Sequence, residues 1–327
     1  MPSSTFTVDS LPDLQGRVYL VTGGNAGIGK ATVIGLASRG ARVYMGARTE
    51  SKALECIKEI KTELPSASVQ FLSLDLSSLE SVVTAAKTLR GRENVLHGLI
   101  NNAGVMGVPF SKTADDYEIQ FQTNYLSHWL LTFHLLPLLS STAASSPEGT
   151  VRVVNVTSDG HAMLAPKTGI NFDDLSLENE SAMTRYGQSK LANVLHAKQL
   201  HLLYGPGSEQ AKANNRNIIF SAVHPGHIDT DLNRQATGTA PGPILRVMVP
   251  LMKCLGILDA QEKGAWSSLF AIASDNFKSS DSGAYIIPYA KIGTPSKFAT
   301  DAVLAHRLWD WTDSQLRAKG LLELGSS

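Results

Sequence analysis

Two cysteines, Cys56 and Cys254, are all that this chain of 327 residues carries. So few thiols exclude a disulfide scaffold. Their separation is not that of a zinc site, so buried thiols in a reducing compartment are the plainest reading and no metal is expected. Net charge is missing too: 29 basic and 29 acidic residues cancel. Nothing in that balance calls for nucleic acid as a partner. Long apolar runs are absent as well. Residues 129–139 are interrupted by Thr132, His134 and Pro137, and residues 244–258 by Arg246, Pro250 and Lys253. Neither stretch reaches the ~20 apolar residues of a transmembrane helix. The polar residues 1–15 hold no basic stretch leading into an apolar one, which argues against a secretory signal. The chain ends in LGSS, which is not a peroxisomal tripeptide. The expectation is a cytoplasmic globular protein.

What the chain does have is a regular alternation. Short apolar runs at 17–21, 42–45, 69–72, 95–100, 151–156 and 218–223 read as strands, and 27–38, 50–63 and 79–89 read as helices between them. Strands alternating with helices of this length build parallel βαβ units. The predicted fold is therefore α/β: a single-domain Rossmann fold, with a doubly wound parallel sheet and helices on both faces. Residues 1–15 form an N-terminal extension and 16–327 the domain. Loops are expected at 140–149, 205–216 and 233–243. The last leads into an apolar, basic segment over 244–258.

The first strand runs directly into Thr22-Gly23-Gly24-Asn25-Ala26-Gly27-Ile28-Gly29 and then a helix. Side chains at Gly23 or Gly27 would block a tight turn or the approach of a pyrophosphate, and Gly29 lets the helix pack closely on the strand. The helix N-terminus offers free N–H groups and a positive dipole end to phosphate. A glycine turn with no ligand is the alternative. At the end of the second strand, where a carboxylate would select NAD, stand Ala47 and Arg48. An arginine fork pairs with a 2′-phosphate, so the cofactor read here is NADP(H), with Asn25 as a second donor. The alternative for Arg48 is a solvated charge.

Tyr186 and Lys190 are four residues apart and share one helix face. Free tyrosine is too weak an acid to work as a base near neutrality, and a neighbouring ammonium together with an oxidised nicotinamide would lower its pKa. The pair would then pass a proton to a carbonyl oxygen or take one from an alcohol. A strand at 151–156 delivers Thr157 and Ser158, and Asn124 lies in a helical stretch expected from Asp115 onward. The bland reading of Asn124 is a polar residue at a helix kink.

The spacing TGxxxGIG, with Asn124, Ser158, Tyr186 and Lys190 in that order, resembles the classical short-chain dehydrogenase/reductase family. The resemblance runs from about residue 16 to the C-terminus. It is strongest to retinol-dehydrogenase-like and WW-domain-oxidoreductase-like members, through the NxGIGK turn, the FQTNYLSHWLLT stretch and the long gap between Ser158 and Tyr186, and to fungal reductases of that group, through residues 285–290 followed by 308–311. It departs from them in showing neither a membrane anchor nor a WW domain. The resemblance implies that Ser158 holds the carbonyl, Thr157 being the alternative. It makes Tyr186 the acid/base, has Lys190 hold the ribose, and has Asn124 help position a water.

Asp75 and Leu76 would meet the adenine, unless Asp75 is only a helix N-terminal acid beside Ser77 and Ser78. Asn102, Ala103 and Gly104 would close over the adenine-ribose region. Pro225, Gly226, Ile228 and Thr230 would meet the nicotinamide carboxamide. The resemblance also implies a C-terminal substrate lid at about 231–262, whose apolar content suggests a bulky hydrophobic substrate, as in fungal secondary metabolism. The same segment is also compatible with simple packing or with peripheral membrane contact. A homo-oligomer through the helices carrying Asn124 and Tyr186 is the family habit, with the insertion after Gly205 standing against it. The competing function is a non-catalytic NADP(H)-binding regulatory protein. His161 is a candidate pocket residue, while His128, His134, His196 and His201 read as packing or surface positions.

Overall fold

The computed structural model describes residues 6–214, 217–229, 232, 236–239 and 258–323. The chain runs through β1 (Val18–Thr22), α1 (Gly27–Ala37), β2 (Arg42–Ala47), α2 (Glu50–Glu63), β3 (Ser68–Ser73), α3 (Leu79–Arg92) and β4 (Gly98–Asn101). Next come α4 (Ile119–Phe121), a π-helical turn (Gln122–Leu126), α5 (Ser127–Ala144), β5 (Arg152–Val156), α6 (Gly160–Met163), α7 (Ala182–Tyr204), α8 (Glu209–Asn214) and β6 (Ile219–Val223). Then follow α9 (Gln261–Ala273), β7 (Tyr285–Ile287), β8 (Lys291–Gly293), α10 (Lys297–Thr300) and α11 (Ala302–Ala318).

The strands form one eight-stranded sheet in the order β3-β2-β1-β4-β5-β6-β7-β8. All neighbours are parallel except the β7–β8 pair. Helices cover both faces, so the central strands read as unbroken apolar runs rather than alternating ones. Every residue of β1, β4, β5 and β6 is buried. Leu20, Leu99, Trp129, Leu195 and Phe220 fill one face, under α3, α5 and α7. Val21, Met45, Ile100, Leu269 and Ile272 fill the other, under α1, α2 and α9. Helix α11 packs on the outside of α7. Trp309 lies 4.8 Å from Trp129, centroid to centroid, so it docks the terminal helix as expected. Trp311 does the same against Phe121 at 6.0 Å.

Several boundaries differ from the sequence reading, each for a local reason. The expected strand over 95–100 begins only at Gly98. His97 instead brackets β1, accepting the Val18 N–H on its Nδ1 at 3.0 Å and donating its own N–H to Val18 O at 2.8 Å. Gly98 is required there, because a Cβ would sit 2.4 Å from the Tyr19 ring. The helical stretch expected from Asp115 starts at Ile119; Asp115 instead accepts the Leu79 N–H at 2.9 Å and starts α3. Helix α5 runs through the front of the expected 140–149 loop, and α8 forms inside the 205–216 loop. Strands β7 and β8 were not foreseen. Their three-residue runs are too short to show a period.

Of the lid, only 232, 236–239 and 258–262 lie among the described residues. Gly238 N–H donates to Gly107 O at 2.7 Å. Cys56 is a free, buried thiol, whereas Cys254 lies outside the described residues. Among those described, no helix is long and apolar enough to cross a membrane.

Candidate active site

Between β1 and α1 the chain reverses in a few residues, and glycine makes this feasible. Gly23 (φ +65°) and Gly27 (φ +53°) occupy the left-handed region that side chains disfavour. A Cβ on Gly29 would stand 2.1 Å from the carbonyl oxygen of Gly23, so no other residue fits there. The N-cap of α1 is Ala26, which caps nothing, and the first turn holds no acid. Its N–H groups and positive dipole end are left for an anion.

Thr22 is turned inward beneath this turn. Its hydroxyl oxygen accepts the N–H groups of Asn102 at 2.9 Å and Ala103 at 3.0 Å, and its carbonyl accepts from Asn102 Nδ2 at 2.8 Å. The segment Asn102–Ala103–Gly104 is thus fastened to the glycine turn. A cavity of about 720 Å³ opens over both. Lining it are Gly23, Asn25, Gly27, Ile28, Gly29 and the Asn102–Gly104 segment on one side, with Ser158, Tyr186, Lys190, Pro225, Gly226 and Ile228 on the other. A glycine cradle at an uncapped helix end, continuous with this cleft, fits a dinucleotide.

Helix α7 starts cleanly because Ser181 caps it, accepting the Thr184 N–H at 3.0 Å. One turn later it presents Tyr186, and one turn further Lys190, both buried. Lys190 Nζ donates to Val156 O at the end of β5, 3.1 Å away, and lies 5.6 Å from the Tyr186 ring centroid. Burial pushes the Tyr186 phenol up to about 12. A hydrogen bond with Ser158 works against that rise, and the Asp159 carboxylate adds to it. Burial also depresses the Lys190 ammonium to about 8. In this arrangement burial of the phenol is the largest influence on the tyrosine.

Ser158 leaves β5 with its carbonyl held by His161, whose Nδ1–H donates at 2.7 Å while Nε2 accepts the Ser296 N–H at 3.1 Å. His161 thus fixes Ser158 from behind and is not among the residues lining the cavity. Thr157, the alternative to Ser158, spends its hydroxyl on Lys190 O at 2.7 Å. Asn124 sits inside the π-helical turn. It is fully buried, accepts the Val105 N–H at 2.8 Å, and donates to Val105 O and Ser189 Oγ, both at 2.9 Å. It ties the Asn102–Gly104 segment to α7 rather than lining the cavity.

The remaining calls are placed as follows. Arg48 is exposed after β2, with no ion-pair partner among the described residues. Asp75 accepts from the N–H and hydroxyl of Ser77 at 2.9 and 2.7 Å, while Ser78, not Asp75, caps α3. Leu76 is buried, and its carbonyl accepts from Ser127 Oγ at 2.6 Å. Arg48, Asp75 and Leu76 lie away from the cavity lining. Thr230 lies outside the described residues.

Two features were missed. His128 joins the turn to the tetrad. Its Nδ1–H donates to Asn124 O at 2.9 Å, which leaves Nε2 to accept from Thr22 Oγ1 at 2.9 Å. The i,i+4 spacing from Asn124 was its only signal in the sequence. Asp159, His224 and His227 also meet at the cavity, with one ligating atom from each lying within 4.8 Å of the others, although no metal-ligand spacing announces them.

Comparison with known proteins agrees with this geometry. Residues 17–169 match the family model described as short chain dehydrogenase. The short-chain dehydrogenase/reductase drtF of Aspergillus calidoustus is 52% identical over 317 residues, covering 96% of this chain and 98% of that protein. An uncharacterized oxidoreductase of Schizosaccharomyces pombe is 40% identical, covering 91% and 84%. A solved protein from Mycobacterium paratuberculosis superimposes with a TM-score of 0.71 at 28% identity, covering 96% and 98%. The NADP active-site complex of Pseudomonas aeruginosa RhlG does so at 0.61 and 25%, covering 88% and 98%. With residues 17–169 matching that family model and 52% identity to a fungal member over nearly the whole of both chains, this chain belongs to the short-chain dehydrogenase/reductase family.

Proposed function

We propose that the protein is an NADPH-dependent reductase acting on a carbonyl, or on the corresponding secondary alcohol in reverse, of a bulky hydrophobic substrate. The observation that carries the reading is the shared cavity: Ser158, Tyr186 and Lys190 face the same space as the uncapped glycine turn. The glycine turn and the N-terminus of α1 would hold the pyrophosphate, and Asn102–Gly104 and Lys190 the ribose side. Pro225, Gly226, Ile228 and Thr230 would meet the carboxamide. Asp75 would reach the adenine and Arg48 the 2′-phosphate. When bound, the reduced nicotinamide supplies hydride to the carbonyl carbon. Tyr186 gives its proton to the carbonyl oxygen while Ser158 holds that oxygen, and the high pKa imposed by burial keeps the phenol protonated for this task. Met106, Met163, Leu164 and Met183 line the substrate side and suit an apolar molecule through their adaptable side chains. The fungal relatives support a place in secondary metabolism.

Fluorescence titration tests the cofactor choice. Arg48→Ala should weaken NADPH by about tenfold or more, the loss of a hydrogen-bonded charge pair, with little change for NADH. Equal affinities in the native protein would overturn it. NADPH consumption across a panel of hydrophobic ketones tests the activity. Tyr186→Phe should lose about 100-fold or more in kcat with NADPH binding intact. Tight NADPH binding with no turnover of any ketone would favour the non-catalytic regulator instead.

A further inference from the structure

The reductase reading gives no task to the three polar side chains that crowd the rim beside Ser158. Asp159 Oδ1 accepts the Ser158 hydroxyl proton at 2.9 Å. Its Oδ2 lies 3.2 Å from His227 Nε2 and 4.0 Å from His224 Nε2. Asp159 is one-third exposed, while the His224 side chain is only 9% exposed. These residues follow β5 and β6, neighbours in the sheet, so the topology itself brings them together.

Their wiring speaks against a metal. A histidine that binds a metal through Nε2 presents its Nδ1–H to an acceptor. Here His224 Nδ1 faces the Gly226 N–H at 3.4 Å and accepts from it. The neutral ring therefore carries its proton on Nε2, pointing toward Asp159. Burial holds His224 down at about 4, so it stays neutral. The two rings flank the carboxylate, His227 at ion-pair distance and His224 beyond hydrogen-bond reach.

That carboxylate has a consequence for Ser158. The serine oxygen already accepts the Gly160 N–H at 3.0 Å, and its one proton is shared between Asp159 Oδ1, at 2.9 Å, and the Tyr186 oxygen. A carbonyl that takes this proton leaves Asp159 Oδ1 without that donor. A substrate with a hydroxyl near its carbonyl repairs the loss: its own O–H replaces Ser158 on Asp159 Oδ1. The 2.9 Å between Ser158 Oγ and Asp159 Oδ1 suits two substrate oxygens on neighbouring carbons, or one carbon further apart.

We propose that Asp159, flanked by His227 and His224, is a specificity-determining residue that selects hydroxy ketones for reduction, and diols in the reverse direction. This rests on the reductase reading above. Hydride adds to the carbonyl carbon, the Tyr186 proton goes to its oxygen, and the neighbouring hydroxyl is untouched. NADPH is the reductant.

The test is NADPH oxidation by the full chain with matched pairs of ketones. The pairs are cyclohexanone with 2-hydroxycyclohexanone, 1-decalone with its 2-hydroxy derivative, and 2-decanone with 3-hydroxy-2-decanone. The native enzyme should favour the hydroxy member by about tenfold or more in kcat/KM, the effect of one hydrogen bond to a charged group. In Asp159→Ala the preference should collapse to about one, mainly through a raised KM for the hydroxy ketone. Asp159→Asn, which keeps an acceptor oxygen, should retain part of it. An unchanged preference in Asp159→Ala, including an equal fall on both members, overturns the proposal. So does a native enzyme that treats both members alike. A preference abolished by EDTA and restored by zinc would replace it with a metal site. No turnover of any pair by the native enzyme would instead bring down the reductase reading itself.

Discussion

His128 links the cofactor turn to the catalytic helix, and its protonation should cost stability in a predictable pH window. The ring is 1% exposed, gives its Nδ1–H to Asn124 O and takes the Thr22 hydroxyl on Nε2. A second ring proton would push an N–H against a hydroxyl whose oxygen already accepts two backbone N–H groups. Burial, the largest cause, holds the folded pKa down from 6.5 to about 4, and Lys190 adds to the depression. The unfolded chain therefore binds a proton that the folded one refuses. The contribution is complete above pH 6.5 and is lost as pH falls toward 4. At 1.36 kcal/mol per unit this comes to about 3 kcal/mol in full, and about 2 kcal/mol of it is gone by pH 5. His196, held at about 3 mainly by burial, acts in the same direction. Urea unfolding of the native protein and of His128→Gln at pH 7 and pH 5 measures the term. The variant should lose about 2 kcal/mol less than the native protein on acidification. Equal losses in the two proteins would refute the argument.

Two further substitutions probe the frame of the site. Gly29→Ala places a methyl group 2.1 Å from the Gly23 carbonyl oxygen. Because the clash is with backbone, the turn must shift, and a cost of about 1–3 kcal/mol in unfolding free energy should accompany at least a tenfold loss in NADPH affinity; unchanged dinucleotide titration would contradict the cradle. Arg185 and Glu118 form a buried pair, Nε to Oε1 at 3.5 Å, between the start of α4 and the helix of Tyr186. Arg185→Ala strands the carboxylate and should cost about 3 kcal/mol by chemical denaturation, and adding Glu118→Gln should recover part of that. No recovery in the double variant would show that the arginine acts through packing on Phe110 instead.

The parts of the site that were legible in the sequence are those written as short linear patterns. The glycine turn is dictated by backbone geometry over a few consecutive residues. Tyr186 and Lys190 meet because a helix brings residues four apart onto one face. The missed features depend on contacts across the sheet. His128 gains its task only when α5 is laid over the end of β1, and Asp159 meets His224 only because β5 and β6 are neighbours. The rise of the Tyr186 pKa was illegible for a different reason: the expectation weighed the nearby ammonium, while burial, the stronger influence, appears only when the helix is packed. Asn124 shows both sides. Its position was readable, and so was the kink that became a π-helical turn. Its grip on Val105 and Ser189 was not, because it depends on where the loop after β4 comes to rest.

Helix α11 has a bearing on self-association. A second copy pairing through α5 and the Tyr186 helix would need the outer faces of both. Here that ground is already taken by the chain's own tail: Trp309 rests on Trp129, Thr312 shares a hydrogen bond with Tyr125 at 2.7 Å, and Leu321 O accepts from His134 Nε2 at 2.8 Å. With those faces covered by the tail, sedimentation should find no twofold pairing through α5 and α7. Trimming the chain after Thr300 should lay bare an aromatic strip that either recruits a second copy or precipitates.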